Sequence, residues 1–257
     1  MGAVTSASNP LLKEVRKAVH LGRLTDSGLC VAEGFHLLEE ALRSDCRIEV
    51  VLVAEPARDK LPALHPVRVV TLEERLFSTL ASTETSQGVI ALVQPPSWTI
   101  DDIFREQALA VILDGVQDPG NAGAILRAAE AFGATGAVFL KGTVNPYNPK
   151  ALRASGGSVF RLPLVTSVDP AIIADKPARL YAAMPTSGRL LSECDLTESC
   201  AIVIGSEARG VSPELSARAE ALRIPTSTVE SLNAAISAAV ILYEVRRQRS
   251  TEGGAAQ

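Results

Sequence analysis

The sequence predicts an α/β protein: a mostly parallel sheet in its larger, later part, preceded by a smaller α/β domain. Three observations carry that expectation. Residues 109–113, 136–140, 180–183 and 201–205 are short, continuous apolar runs, the pattern of strands buried on both faces, whereas a half-exposed strand would alternate. Helical patterns fall between and after these runs, as crossovers between parallel strands require. Pro95-Pro96-Ser97 removes two backbone donors and favours extended geometry, which marks a linker. The expected division is 1–98 and 99–257.

Within the first part, Leu11, Leu12, Val15 and Val19 predict an amphipathic helix over 10–21. A strand at 29–32, a helix through residue 42, strands at 48–53, 66–70 and 88–93, and a helix at 71–80 follow. In the second part the helices are expected at 122–132, 213–221 and 231–247. The last carries an apolar face of Leu232, Ile236, Ala239, Val240 and Tyr243, with Ala234, Ala235 and Ala238 leaving its other faces small, so burial on more than one side is expected. Residues 249–257, with their Gly-Gly-Ala-Ala run, are expected to be disordered.

Composition narrows the chemistry. With 47% hydrophobic and 4% aromatic residues in 257, the core must be aliphatic. No run approaches the roughly 18–20 apolar residues of a membrane span, and the start has neither a basic nor an apolar leader segment, so a cytoplasmic protein with no membrane association is expected. Cys30, Cys46, Cys194 and Cys200 form no Cys-x-x-Cys pair and have no zinc spacing; reduced thiols and no metal are expected. The chain has no phosphate-loop ending and no Gly-x-Gly-x-x-Gly. All three histidines (His20, His36, His65) lie in the first part, so chemistry in the second must manage protons without imidazole.

The formal net charge of -4 does not favour a polyanionic partner. The local balance differs. Lys13, Arg16, Lys17 and Arg23 face one acid, Glu14, in the first 25 residues, and Lys141, Lys150, Arg153 and Arg161 span a stretch with no acid at all. These segments either grip phosphates or are solvated faces.

Three stretches place polar groups or glycine where an apolar strand meets a helix, the ligand-binding position of open α/β sheets. In Asn121-Ala-Gly-Ala-Ile-Leu-Arg127, Asn121 is a helix N-cap or a site residue, and Arg127 stands in apolar surroundings where a guanidinium needs an anion or water. In Gly205-Ser-Glu207-Ala-Arg-Gly210, the strand ends in a glycine that permits close approach of a ligand, with Glu207 at the sheet's carboxyl edge; an ordinary turn is the alternative. In Ile224-Pro225 through Glu230-Ser231-Leu232-Asn233, Ser231 is a natural N-cap.

In that order, Asn-x-Gly-x-x-x-Arg, Gly-Ser-Glu-x-x-Gly and Ile-Pro with Glu-Ser-Leu-Asn, the chain resembles the SpoU/TrmH family of S-adenosylmethionine-dependent RNA ribose 2'-O-methyltransferases of the SPOUT superfamily. The likeness extends through residues 109–247 and includes Asn148-Pro-Lys150-x-x-Arg153-x-Ser155. Thr5-Ser-x-x-Asn9-Pro10-x-x-Lys13 and Val31-x-Glu33-Gly34 resemble the family's substrate-binding domain, of ribosomal-protein-like fold. The resemblance implies a deep carboxyl-terminal trefoil knot and a homodimer with shared sites. It implies S-adenosylmethionine held near Gly205, Ile224 and Leu232, and Asn121, Arg127, Glu207, Ser231 and Asn233 as catalytic or site-shaping residues. Thr226 stands where the family commonly has methionine, at the pocket wall. Lys13, Arg16, Lys150 and Arg153 are the expected RNA contacts. The implied substrate is 23S ribosomal RNA, with transfer RNA as the alternative; a non-catalytic RNA-binding assembly factor is the competing reading, which the retained site residues disfavour.

Overall fold

Asn9 and Pro10 start the first helix for separable reasons. The Asn9 carboxamide accepts from the Leu11 amide, and Pro10 sits where its missing donor costs nothing. The helix α1 (Pro10–Leu21) buries Leu12, Val15 and Ala18 and stops at Gly22, which turns left-handed at φ +60°. β1 (Cys30–Glu33), α2 (Phe35–Arg43), β2 (Ile48–Ala54), β3 (Arg68–Leu72), α3 (Glu74–Ser78) and β4 (Val89–Val93) follow. The four strands form one sheet in the order β1-β4-β2-β3, parallel only between β2 and β3. The strand expected at 66–70 lies two residues later and the helix expected at 71–80 is shorter, because Thr71 and Leu72 pair with Val53 and Ala54.

The computed structural model describes residues 6–44 and 46–253. Thr5 and the tail beyond Gly253 lie outside the described residues. The chain divides into two units, Met1–Ser97 with Asn145–Arg161, and Trp98–Val144 with Leu162–Gln257.

In the second unit, α4 (Ile100–Ile103), β5 (Leu109–Asp114), α5 (Pro119–Ala131) and β6 (Gly136–Leu140) come first. The helix α6 (Pro149–Ser155) belongs to the first unit. The chain then supplies β7 (Leu164–Val168), α7 (Pro170–Ala174), β8 (Arg179–Ala183), β9 (Arg189–Leu190), β10 (Cys200–Gly205), α8 (Pro213–Ser216), β11 (Glu220–Arg223) and α9 (Ala234–Gly253). Seven strands pair in the order β7-β6-β5-β10-β8-β11-β9, every pair parallel. Three of them, β7, β9 and β11, are not expected from the sequence; they are short, lie toward the sheet's edges, and carry polar or charged residues. The helix expected over 213–221 is only α8, because Glu220–Arg223 pairs with β8 instead.

Both faces of this sheet are covered, which explains the continuous apolar runs. On one face, Ala110, Ile112, Val138, Ala201 and Val203 pack with Ile103, Ile173 and Leu215. Elsewhere α5 packs against α9, burying Ile125, Leu126 and Ala129 of the first and Ala238, Ile241, Leu242 and Val245 of the second. The residues buried within the chain are therefore not those of the expected apolar face, of which Ile236 (54%), Val240 (37%) and Tyr243 (56%) remain exposed in the single chain. Alanines and the 241, 242 and 245 positions face inward because the closely packed α5 leaves little room there.

The helix also runs into the segment expected to be disordered, as far as Gly253; the rest of that segment lies outside the described residues. The Arg249 guanidinium donates to the carbonyls of Gln107 (3.0 Å), Ala108 (3.1 Å), Leu196 (3.2 Å) and Glu198 (2.7 Å). Gln248 bonds Cys194 O and Leu196 N. Backbone groups at the amino ends of β5 and β10 thereby find partners, and the end of α9 is fastened to them. All four cysteines are free; burial pushes the Cys30 thiol up to about 12 and Cys200 to about 11.

Asn145–Arg161 packs into the first unit through charge and close contact. A Cβ on Gly22 would collide with the Asn148 side chain, so the end of α1 rests directly on the start of α6. Arg153 donates to Ser82 Oγ at 2.6 Å and lies 3.7 Å from the Glu33 carboxylate. Glu33, buried at the end of β1, also accepts from the Ser82 amide and the Thr83 hydroxyl, both at 2.8 Å, and from the Ser82 hydroxyl. Arg161 meets Glu40 at 2.6 Å.

Burial pushes the Glu33 carboxyl up, but the Ser82, Thr83 and Ser86 donors outweigh it and hold it below the ordinary value of 4.5; at Glu40, burial is outweighed by Arg161. Carboxylates lowered in the folded state contribute stability above their unfolded value, and that contribution is lost as pH falls through the folded value. Glu33→Gln is expected to destabilise the protein by about 2 kcal/mol at pH 7, since donors arranged around a charge lose it. Urea unfolding should show this deficit shrinking as pH falls below the ordinary value of 4.5 and through the folded carboxyl's lower value, where the wild-type group becomes protonated in the folded state too. An equal deficit at both pH values would refute the assignment.

Candidate active site

Parallel pairing brings the ends of β5 and β10 level, with Asp114 opposite Gly205. The chain then leaves both strands on the same edge of the sheet. After β10, the Ser206 and Gly210 backbones bond each other in both directions (3.0 and 2.8 Å), closing a tight loop with Glu207 exposed at its tip. A Cβ on Gly205 would collide with the backbone of Gly210 and Val211. The glycine expected to admit a ligand thus first admits the loop's own returning chain. Asp114 Oδ2 accepts from the Ser212 amide at 2.7 Å and holds the far end of that loop.

Asp118 caps α5, accepting from the Asn121 amide at 2.8 Å. Of the two roles open to Asn121, this rules out the cap and leaves its carboxamide available for the site. Asn121 Nδ2 donates to Glu207 Oε1 at 2.6 Å, and Asn121 Oδ1 accepts from Asn233 Nδ2 at 3.0 Å. Asn233 in turn accepts on Oδ1 from the amides of Ala235 (2.9 Å) and Ile236 (3.3 Å), while its backbone carbonyl takes the Ser237 amide. Asn233, not Ser231, is therefore the N-cap of α9. Only its carbonyl oxygen can accept from helix amides, so the amide group's orientation is settled and with it the direction of the whole chain of bonds. Donation runs from α9 through Asn233 and Asn121 to the Glu207 carboxylate.

These groups stand beside a cleft of about 620 Å³, within the range of small-molecule sites. Ile204, Leu222, Ile224, Leu232 and Ile241 give it apolar walls; Ser206, Glu207, Ser231 and Asn233 give it polar ones. Of the expected site residues, Gly205, Glu207, Ile224, Ser231, Leu232 and Asn233 line it, and Asn121 is bonded to two of them. Thr226 also lines it, its hydroxyl donating to Val229 O at 2.6 Å. Arg127 is not among the walls. It is exposed on α5 and, among the described residues, has no hydrogen bond or ion pair, so apolar surroundings do not force its guanidinium against an anion within the chain.

Sequence reasoning missed the contribution of Ala183, Met184 and Pro185. The signal was present: a strand at 180–183 ends in Met-Pro, one more carboxyl end at the same edge. The expected RNA contacts lie in the first unit. Lys13 and Lys150 are exposed, but Arg16 donates to Ala7 O at 2.7 Å with its Nε buried, and Arg153 is held by Ser82 and Glu33. Among the described residues, no group of three or more His, Cys, Asp or Glu is placed to hold a metal ion, and no helix is long and apolar enough to cross a membrane.

Residues 108–243 match the family described as the SpoU rRNA Methylase family, and residues 9–91 match the MRM3-like substrate binding domain. The chain belongs to the SpoU rRNA methylase family. It is 31% identical to the 23S rRNA (guanosine(2553)-2'-O)-methyltransferase RlmP of Bacillus subtilis, over 96% of this chain and 100% of that protein. Among solved structures, an AdoMet-bound rRNA methyltransferase from Sinorhizobium meliloti superposes with a TM-score of 0.82 at 27% identity, covering 96% of this chain and 97% of the other. The SpoU methyltransferase AviRb from Streptomyces viridochromogenes, in complex with AdoMet, has a TM-score of 0.82 at 28% identity, covering 95% and 99%.

The bond chain joining α9, α5 and the Gly205–Gly210 loop makes a graded prediction. Asn121→Ala removes both side-chain bonds, each of order 1 kcal/mol at an exposed position, and should weaken cofactor binding several-fold in calorimetric titration. Asn121→Asp sets one carboxylate against another and should weaken it further. Equal affinities for the two variants would mean that Asn121 does not face Glu207 in solution.

Proposed function

We propose that this protein transfers a methyl group from S-adenosylmethionine to a ribose 2'-hydroxyl of RNA, with 23S ribosomal RNA as the substrate. The observation that carries the reading is the cleft at the sheet's carboxyl edge, walled by the family's own motif residues and braced by Asn233, Asn121 and Glu207. Membership of the SpoU rRNA methylase family and likeness to RlmP support the reaction and the substrate.

The cleft suits this cofactor chemically. Its apolar walls fit a purine, its serine and asparagine groups fit ribose and amino-acid polar atoms, and the Glu207 carboxylate at its rim suits a nearby cation. When bound, S-adenosylmethionine supplies an electrophilic methyl on a positively charged sulfur. The residues of this chain orient the hydroxyl toward it. Arg127 pairs with the phosphate beside the target ribose and positions that hydroxyl; it does not take the proton, because a guanidinium stays charged at neutral pH. Positioning of this kind is worth several kcal/mol of barrier.

Arg127 lies outside the cleft of its own chain, so we assign it to the site of a second copy in a homodimer. The exposed stripe of Ile236, Val240 and Tyr243, at helical i, i+4, i+7 spacing, supplies an apolar face for such an interface. In functional terms 1–98 serves RNA and 99–257 the transfer, with the chain end knotted as family membership implies; the cytoplasm is the expected compartment.

Arg127→Ala should lower turnover by roughly 100-fold or more while leaving cofactor affinity within about twofold, since no cofactor contact depends on it. Mixing Arg127→Ala with Asn233→Ala protomers should restore roughly one quarter of wild-type turnover, the share of competent sites after random exchange. No restoration would place Arg127 in its own chain's site or remove it from the reaction. Mapping of 2'-O-methyl groups in 23S RNA, with and without the protein, tests the substrate.

A further inference from the structure

The tight loop after β10 carries two opposite charges that do not neutralise each other. Glu207 and Arg209 stand two residues apart and are both exposed, so an ordinary turn would leave them as a solvated ion pair. The Glu207 carboxylate instead accepts from the Asn121 carboxamide at 2.6 Å. The Arg209 guanidinium has no hydrogen bond or ion pair among the described residues. Both residues line the cleft, and among the described residues they are the only charged ones that do.

An exposed arginine without a partner is common and by itself assigns nothing. Arg209 is distinguished by the way its backbone is held. Its amide donates to Ser206 Oγ at 3.1 Å, the Ser206 and Gly210 backbones bond each other on either side of it, and Gly210 turns left-handed at φ +67° directly after it. Asp114 fixes the chain just beyond, at the Ser212 amide. The root of the side chain is therefore set before any ligand arrives, and only the side chain itself must be ordered when it meets an anion.

The cofactor assigned to this cleft presents such an anion: its amino-acid end carries a carboxylate beside an ammonium. Neutral serine and asparagine groups in the wall can bond a carboxylate but cannot balance its charge. A guanidinium does both, through two parallel N–H donors that match the two carboxylate oxygens. Arg209 shares the cleft with Leu222, Ile224 and Leu232, apolar walls that fit a purine and offer nothing to a phosphate, so the anion with which it shares those surroundings is the cofactor's own. We infer that Arg209 recognises the carboxylate of the cofactor's amino-acid end, and thereby separates the full cofactor from adenosine thioethers that lack it. The inference rests on the proposed function and names the group that selects the cofactor's amino-acid end.

The test is calorimetric titration of the full-length protein with three ligands that share the adenosine and a neutral sulfur. These are S-adenosylhomocysteine, its decarboxylated analogue, which keeps the ammonium, and 5'-methylthioadenosine, which lacks both charges. Arg209→Ala should weaken S-adenosylhomocysteine roughly tenfold and leave the other two within about twofold of wild type. Arg209→Lys, which keeps the charge without the fork, should fall between. Wild-type affinity for S-adenosylhomocysteine in Arg209→Ala would overturn the inference and leave the proposed function standing; a raised KM for RNA in the same variant would then assign Arg209 to a phosphate. Equal losses for all three ligands, in Arg209→Gln as in Arg209→Ala, would also overturn it, because the change would then act through the loop and not through a carboxylate. Wild-type protein that binds neither S-adenosylmethionine nor any of the three ligands would overturn the proposed function as well.

Discussion

The carboxamide of Asn233 is committed to the first turn of α9, and much of the site follows from that commitment. A helix begins with amides that have no partner inside it, and Asn233 supplies the oxygen that two of them need. Its nitrogen must then point away, toward Asn121. Asn121, relieved of capping α5 by Asp118, passes the same polarity on to Glu207. Three elements distant in sequence are joined by bonds whose direction none of them could reverse alone. Each bond is modest in energy, but together they define how the first turn of one helix, the loop after β10 and the start of the last helix face the cleft.

That arrangement depends on the sheet. Because every strand pair in the second unit is parallel, the carboxyl ends of β5, β8, β10 and β11 emerge on one edge, and the connections after β8, β10 and β11 enclose the cleft. The tight loop after β10 requires a glycine at its base because its own backbone returns there. The helix α9 serves both ends of the sheet. Near its start it contributes Asn233, Ser237 and Ile241 to the cleft, and near its end Arg249 and Gln248 satisfy backbone carbonyls at the opposite edge.

The first unit is a sheet-and-helix domain completed by a piece of chain that the family match assigns to the catalytic part. Asn145–Arg161 adds α6 to it, and two arginines meet carboxylates there. A buried glutamate such as Glu33 is tolerable only when donors surround it, and the loop at 82–86 together with Arg153 supplies them. Arg153 and Arg161, which sequence alone groups with the other cations of their stretch, thus serve to anchor α6.

The sequence by itself determined the class of fold, the four central strands of the large sheet, the helix α1 to the residue, and the motif residues that converge on the cleft, because buried strands must be continuously apolar and caps and prolines act locally. It also carried the family likeness in three ordered motifs. It did not reveal β7, β9 and β11, whose short polar runs become strands only when a neighbour offers a ladder. It left the cap of α5 open and misplaced that of α9, since Asn121, Asp118, Ser231 and Asn233 are chemically competent alternatives and the choice is made by partners up to 112 residues away. It did not single out the face of α9 that packs against α5, because hydrophobicity alone cannot tell a surface covered within the chain from one left exposed in it. It could not foresee that Arg153 is held by Ser82 and Glu33 or that Arg127 lies off its own chain's cleft. Those facts belong to tertiary structure, where an ionic group's role depends on which opposite charge or hydrogen-bond partner the folded chain brings within reach.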